Sequence, residues 1–166
     1  MTIAEFDHLP NGKKKELLEK CCGSASWISK MLTIFPVEDL VELLEFAEEK
    51  WYECTEDDWK EAFKHHPRIG EDDLKEKFAS TAAWATAEQS GVENSLKEVL
   101  QNLAEGNRNY YDKFGYIFII SASGKSAEEI LNRFELRLPN SPEAEINIAA
   151  EEQNKITKLR LEKLFS

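Results

Sequence analysis

The chain has 166 residues, a formal charge of −11, 42% hydrophobic and 10% aromatic side chains, the size and composition of one globular domain with a sizeable core. The acidic balance argues against non-specific binding to nucleic acid or an anionic membrane, which both need clustered Lys and Arg; an anionic ligand would need a local positive pocket. Three cysteines, with Cys21 and Cys22 adjacent and no zinc-ligand spacing to Cys54 or the histidines, indicate neither a disulfide framework nor a metal site and fit a reduced cytoplasmic compartment.

The start, Met1-Thr2-Ile3-Ala4-Glu5-Phe6, lacks the basic and apolar pattern of a signal peptide, and no segment approaches the ~20 apolar residues of a membrane span. Helical punctuation then takes over. Asn11 is expected to cap a helix through Leu17 and Leu18 that Gly23 ends, and Ser24 or Ser26 to start another through Trp27, Met31 and Ile34 up to Pro36. Leu40, Leu43, Leu44, Ala47 and Trp51 follow helical spacing between Val37 and Cys54, with acids on the opposite face. Thr55, followed by Glu56, Asp57 and Asp58, is an N-cap with acids where the helix dipole favours them.

That helix must end at His65-His66-Pro67-Arg68-Ile69-Gly70. Proline has no N–H and biases its predecessor toward extended geometry, so His66 stands at the helix exit, at a fixed angle. Two readings compete: imidazoles capping a helix C-terminus, or a titratable ring held for proton transfer. Small residues from Ser80 to Gly91 suit close packing. A helical stripe follows through Leu96, Val99, Leu100, Leu103, Asn107, Tyr110 and Phe114. The run Tyr116-Ile117-Phe118-Ile119-Ile120 is β-like, but one short run cannot make a sheet, so it is expected as an extended buried segment or an irregular helix. Ser126-Ala127-Glu128-Glu129 has capping-box spacing for a helix to Leu138, and Ser141-Pro142 places a cap and an N1 proline before a last helix to Phe165. The expectation is an all-α, single-domain bundle over residues 1–166, with about seven to eight helices.

Charged residues on apolar stripes are candidates for chemistry. Ile156, Arg160 and Leu164 are spaced four apart, so the guanidinium shares a face with two aliphatics. It either pairs with an internal carboxylate, reaches out to solvent, or offers a fork to the oxygens of a ligand. Glu88 lies four residues after Trp84 among alanines; it is either an exposed helix-end acid or a desolvated carboxylate with a raised pKa, and Gln89 beside it can donate and accept. His66, Glu88 and Arg160 together could bind an anionic heterocycle and move a proton. Spacing alone does not bring them together.

The chain resembles the cofactor-free decarboxylases of 2-oxo-4-hydroxy-4-carboxy-5-ureidoimidazoline (OHCU), a step of urate degradation. The resemblance rests on His66-Pro67-Arg68-Ile69-Gly70, Glu88-Gln89-Ser90-Gly91, Asn109-Tyr110, Lys113-Phe114-Gly115-Tyr116-Ile117-Phe118-Ile119-Ile120, Glu152-Gln153, Lys155-Ile156 and Leu159-Arg160-Leu161, in that order along nearly the full length. It implies an all-α fold, usually dimeric, converting OHCU to (S)-allantoin and CO2 without metal or organic cofactor. It also implies that His66 is the essential proton donor, that Glu88 and Gln89 hold the substrate, and that Arg160 binds its anionic or carbonyl groups. Pro67 would line the site, and backbone groups of Phe118, Ile119, Ile120, Ser121 and Ala122 would contact the ring. The chain departs from many relatives at Ala85, where serine is frequent, so a hydroxyl contact there would pass to Thr86; it departs from others at Ser123, where arginine stands. Two other functions stay open: a non-catalytic helical module using the acidic Glu42 to Glu53 helix, and a decarboxylase of a related ureido or imidazoline acid.

Overall fold

A computed structural model describes residues 1–66 and 90–166, the side chains of 90–96 excepted. Among the described residues there are eight α-helices and no strand: α1 Ile3–Asp7, α2 Asn11–Cys21, α3 Ala25–Met31, α4 Leu40–Tyr52, α5 Glu56–Lys64, α6 Ser90–Phe114, α7 Ala127–Arg137 and α8 Pro142–Leu164. They fall into two compact units. The first comprises Met1–His66, Ile119–Ser121 and Ile146–Ser166; the second, the described residues of Pro67–Phe118 and Ala122–Glu145.

Most helix starts follow from side-chain acceptors. Ser24, Thr55 and Ser126 each accept a hydrogen bond from the backbone N–H three residues on, and Thr55 with Asp58 closes a reciprocal capping box. Ser141 Oγ accepts from Ala144 N at 3.3 Å, and Pro142 occupies the first helical position as expected. Three boundaries differ from expectation. The N-cap of α2 is Pro10, whose carbonyl takes Lys13 N and Lys14 N, and Asn11 is already helical. α3 stops at Met31, short of Pro36, where Thr33 Oγ1 turns back to donate to Lys30 O at 2.6 Å. α1 was not expected; its five residues are held by a capping box between Thr2 and Glu5.

In the first unit, three buried tryptophans fix the helices through their ring N–H groups. Trp27 Nε1 donates to Ala47 O at 3.0 Å, Trp51 Nε1 to Ala150 O at 2.9 Å, and Trp59 Nε1 to Trp51 O at 3.0 Å. Each buries a large apolar body while its one polar atom is satisfied. Ala149 and Ala150 are fully buried, and their small side chains let Trp51 of α4 approach the backbone of α8.

In the second unit, α6 packs on α7 around Tyr110 and Phe134. Gly115, with φ of +80°, ends α6 in the left-handed region that favours glycine, its N–H on Tyr111 O at 2.8 Å. The β-like run after it forms neither helix nor strand. Phe118 stacks on Phe134 with centroids 3.7 Å apart and meets Tyr110 edge-on at 5.0 Å.

Candidate active site

His66 follows directly on His65, the C-cap of α5, with its backbone N–H on Phe63 O at 3.2 Å. Its position is fixed from two sides. Gly23, between α2 and α3, is buried against His65: a Cβ there would overlap the His65 ring and Cβ. On the other side, His66 Nε2 donates to Gln153 Oε1 of α8. Gln153 is fully buried, and its Nε2 donates to Thr157 Oγ1 at 3.1 Å. A line of hydrogen bonds thus runs from the imidazole through Gln153 to Thr157 on α8.

Arg160 lies one turn beyond Thr157. Its Nη1 donates to Cys21 O at 3.3 Å and, at the 3.5 Å limit, to Lys20 O, the carbonyls that close α2. A guanidinium there satisfies carbonyls with no intrahelical partner and complements the negative end of the dipole. Among the described residues no carboxylate pairs with it. The expected sharing of a core face with Ile156 and Leu164 is also corrected: those two and Arg160 are half-buried, and the buried seam of α8 runs through Ile146, Ala149, Ala150, Gln153, Thr157 and Leu161. Among the described residues, Nε and Nη2 of Arg160 have no hydrogen-bond partner.

Burial is the largest influence on His66 and pushes its pKa below the ordinary value of 6.5; Arg160 and His65 push the same way, while the bond to Gln153 acts in opposition. The ring is therefore neutral at neutral pH. The nearby thiols are not nucleophiles: burial drives Cys21 up to about 11 and Cys22 to about 12. Among the described residues no three His, Cys, Asp or Glu side chains gather as a metal site.

His66 and Arg160 both belong to the first unit, where the guanidinium helps to keep the ring neutral. Pro67, Ala85, Thr86, Glu88 and Gln89 lie outside the described residues. Ile119 and Ser121 are buried in the first unit with Ile120 half-buried; Phe118 and Ala122 belong to the second. The Phe118 ring is spent on Phe134, Tyr110 and the Arg137 guanidinium, so that residue can offer a ligand its backbone. Gln153 was given no role from the sequence. A polar amide at the centre of the α8 apolar seam was the signal that could have found it.

The family model of OHCU decarboxylase matches residues 7–162. The chain belongs to the OHCU decarboxylase family. It is 40% identical over 148 residues, 88% of its length, to an Arabidopsis thaliana uric acid degradation bifunctional protein, of which it covers 45%. It is 27% identical over 167 residues to a 2-oxo-4-hydroxy-4-carboxy-5-ureidoimidazoline decarboxylase of Haloferax volcanii, covering 97% of it. The chain spans less than half the length of the Arabidopsis protein and about a third of a similar bifunctional protein from a Bacillus. A crystal structure of OHCU decarboxylase in the presence of (S)-allantoin superposes with a TM-score of 0.72 at 39% identity, over 91% of this chain and 97% of that one. Within this family fold, His66 and Arg160 are the described residues that join a titratable ring to a cation with donors to spare.

Proposed function

We propose that residues 1–166 act as one domain that decarboxylates OHCU to (S)-allantoin and CO2 in urate degradation, as a cytoplasmic homodimer needing no metal or organic cofactor. The observation that carries this reading is the neutral His66 imidazole, held by a buried amide beside Arg160, in a chain of the OHCU decarboxylase family.

The substrate's own chemistry makes an electron sink unnecessary. As the C–CO2 bond breaks, its electron pair moves into the adjacent ring C=N, giving a ring C=C bond and charge on nitrogen, which takes a proton from solvent. The carbinol oxygen then loses its proton to become a carbonyl, and the neighbouring ring carbon gains one and becomes the new stereocentre. His66 suits that exchange. Unprotonated at neutral pH, it accepts the hydroxyl proton and returns it to carbon from one face. In this proposal the proton donor implied by resemblance is loaded during the reaction. Arg160 anchors ring or ureido oxygens through the donors that the α2 carbonyls leave over, and offsets the repulsion of a −11 chain for an anion. Glu88 and Gln89 hold the substrate, Pro67 lines the site, Thr86 beside Ala85 gives any hydroxyl contact, and the backbone of Phe118 to Ala122 faces the ring.

The test is circular dichroism at an allantoin band after generating OHCU in situ, with and without the protein. The native chain should accelerate formation of one enantiomer, and His66→Gln should lose about 10²- to 10⁴-fold of that rate while keeping its helical spectrum. Stereospecific turnover at the native rate in His66→Gln would remove His66 from the chemistry.

A further inference from the structure

Gln153 is a neutral hydrogen-bonding residue at 0% exposure on a seam whose other members, Thr157 apart, are apolar, and its amide has two distinguishable ends. The Nε2 end donates to Thr157 Oγ1 at 3.1 Å. The Oε1 end therefore faces His66 and can only accept. A ring nitrogen meeting that oxygen must carry a proton. In a neutral imidazole this leaves the lone pair on the other nitrogen.

We propose that Gln153, steadied by Thr157, is a positioning residue of the proposed decarboxylation: it holds the His66 ring as the Nε2–H tautomer and leaves Nδ1 as the nitrogen that exchanges a proton with substrate. The inference rests on the decarboxylase reading and adds to it which ring atom reacts and what sets it. Among the described residues Nδ1 has no hydrogen-bond partner. The charged groups acting on the ring are Arg160 from α8 and the neighbouring His65, with no carboxylate among the described residues; the thiols Cys21 and Cys22 flank Arg160 and Thr157 from the end of α2. The choice of an amide matters for that reason. A carboxylate would fix the same tautomer but stabilise the imidazolium, whereas an amide oxygen orients the ring and leaves it weakly basic, ready to surrender the proton to carbon. The buried carboxylate next along the chain, Glu152, is engaged by Lys155 at 2.7 Å.

The ring can be read directly by ¹⁵N NMR on the full chain, above the pH at which His66 titrates and with no substrate present. A protonated, pyrrole-like Nε2 and an unprotonated Nδ1 are expected; the reverse pattern, or an averaged pair, overturns the proposal without any variant having to fold. Gln153→Glu should raise the His66 titration midpoint by about one pH unit or more and move the acid limb of kcat/KM with it. Gln153→Leu should lower kcat about ten- to a hundredfold with KM little changed. Native kcat in Gln153→Leu, or an unmoved midpoint in Gln153→Glu, also overturns it. Because the ring signals need no substrate, failure of the native protein to turn over OHCU would remove the decarboxylase reading alone.

Discussion

Two buried polar residues on α8, eight positions apart and both at 0% exposure, are handled in opposite ways. Glu145, in the second unit, is surrounded. Tyr110 Oη donates to it at 2.6 Å, Arg137 Nε and Nη2 lie 2.7 and 2.6 Å from Oε1, and Asn140 Nδ2 donates to Oε2 at 3.0 Å. Its charge is matched by one cation and its acceptors are filled, so the set ties α6, α7 and the first turn of α8 together. Gln153, in the first unit, carries no charge, and the cation near it meets only carbonyls among the described residues. A closed, charge-balanced set holds a fold. A set left short of a counter-charge keeps capacity for an anionic ligand.

The contrast breaks first at Glu145. Glu145→Ala removes the buried carboxylate that Arg137, Tyr110 and Asn140 share and should cost about 3–5 kcal/mol in urea unfolding. His66→Gln should stay within about 1 kcal/mol of the native chain. Equal losses in the two variants would show that the His66 site is as structural as the Glu145 cluster.

Two glycines sharpen the same division at smaller magnitude. Gly23→Ala forces a methyl into His65, whose own Cβ is in the way, so relief must shift the backbone that leads into His66. A loss of about 1–3 kcal/mol is expected, together with a lower kcat. Gly106, inside α6, is different: an added Cβ would meet the Phe134 ring at 3.4 Å, ordinary contact. Gly106→Ala should stabilise by roughly 0.5–1 kcal/mol through helix propensity, seen as a raised urea midpoint.

Much of the fold was legible because helix starts announce themselves locally. Ser24, Thr55, Ser126 and Ser141-Pro142 each cap with their own side chain or ring, whereas the stripe of Ile156, Arg160 and Leu164 expected on the last helix is only half-buried. Boundaries set by backbone were less visible: Pro10 caps α2 with a carbonyl, which every residue has. In the site, Pro67 fixed where His66 must stand, whereas the partners of Arg160 are main-chain oxygens of a helix some 140 positions earlier and leave no trace in residue type. Gln153 was half legible. Its position on the apolar seam can be counted from Ala149 and Ala150, but its partner is 87 residues away, a pairing that only tertiary structure supplies.

The smallest effect separates the two sets by pH. The folded-state pKa of His66 lies below its unfolded value near 6.5, mainly through burial, so the unfolded chain binds the proton more readily. The stabilisation from keeping this ring neutral is present in full above 6.5, declines as pH falls below it, and stops declining once the folded ring protonates as well. One group of this kind changes stability by at most about 1.4 kcal/mol per pH unit. Urea unfolding of the native chain and of His66→Gln between pH 7.5 and roughly pH 5 isolates it, since the carboxylates common to both cancel in the difference. The native chain should lose more stability on acidification than the variant. If the variant loses as much, the ring is not kept neutral by the fold, and the acid limb of activity would have to be set by another group.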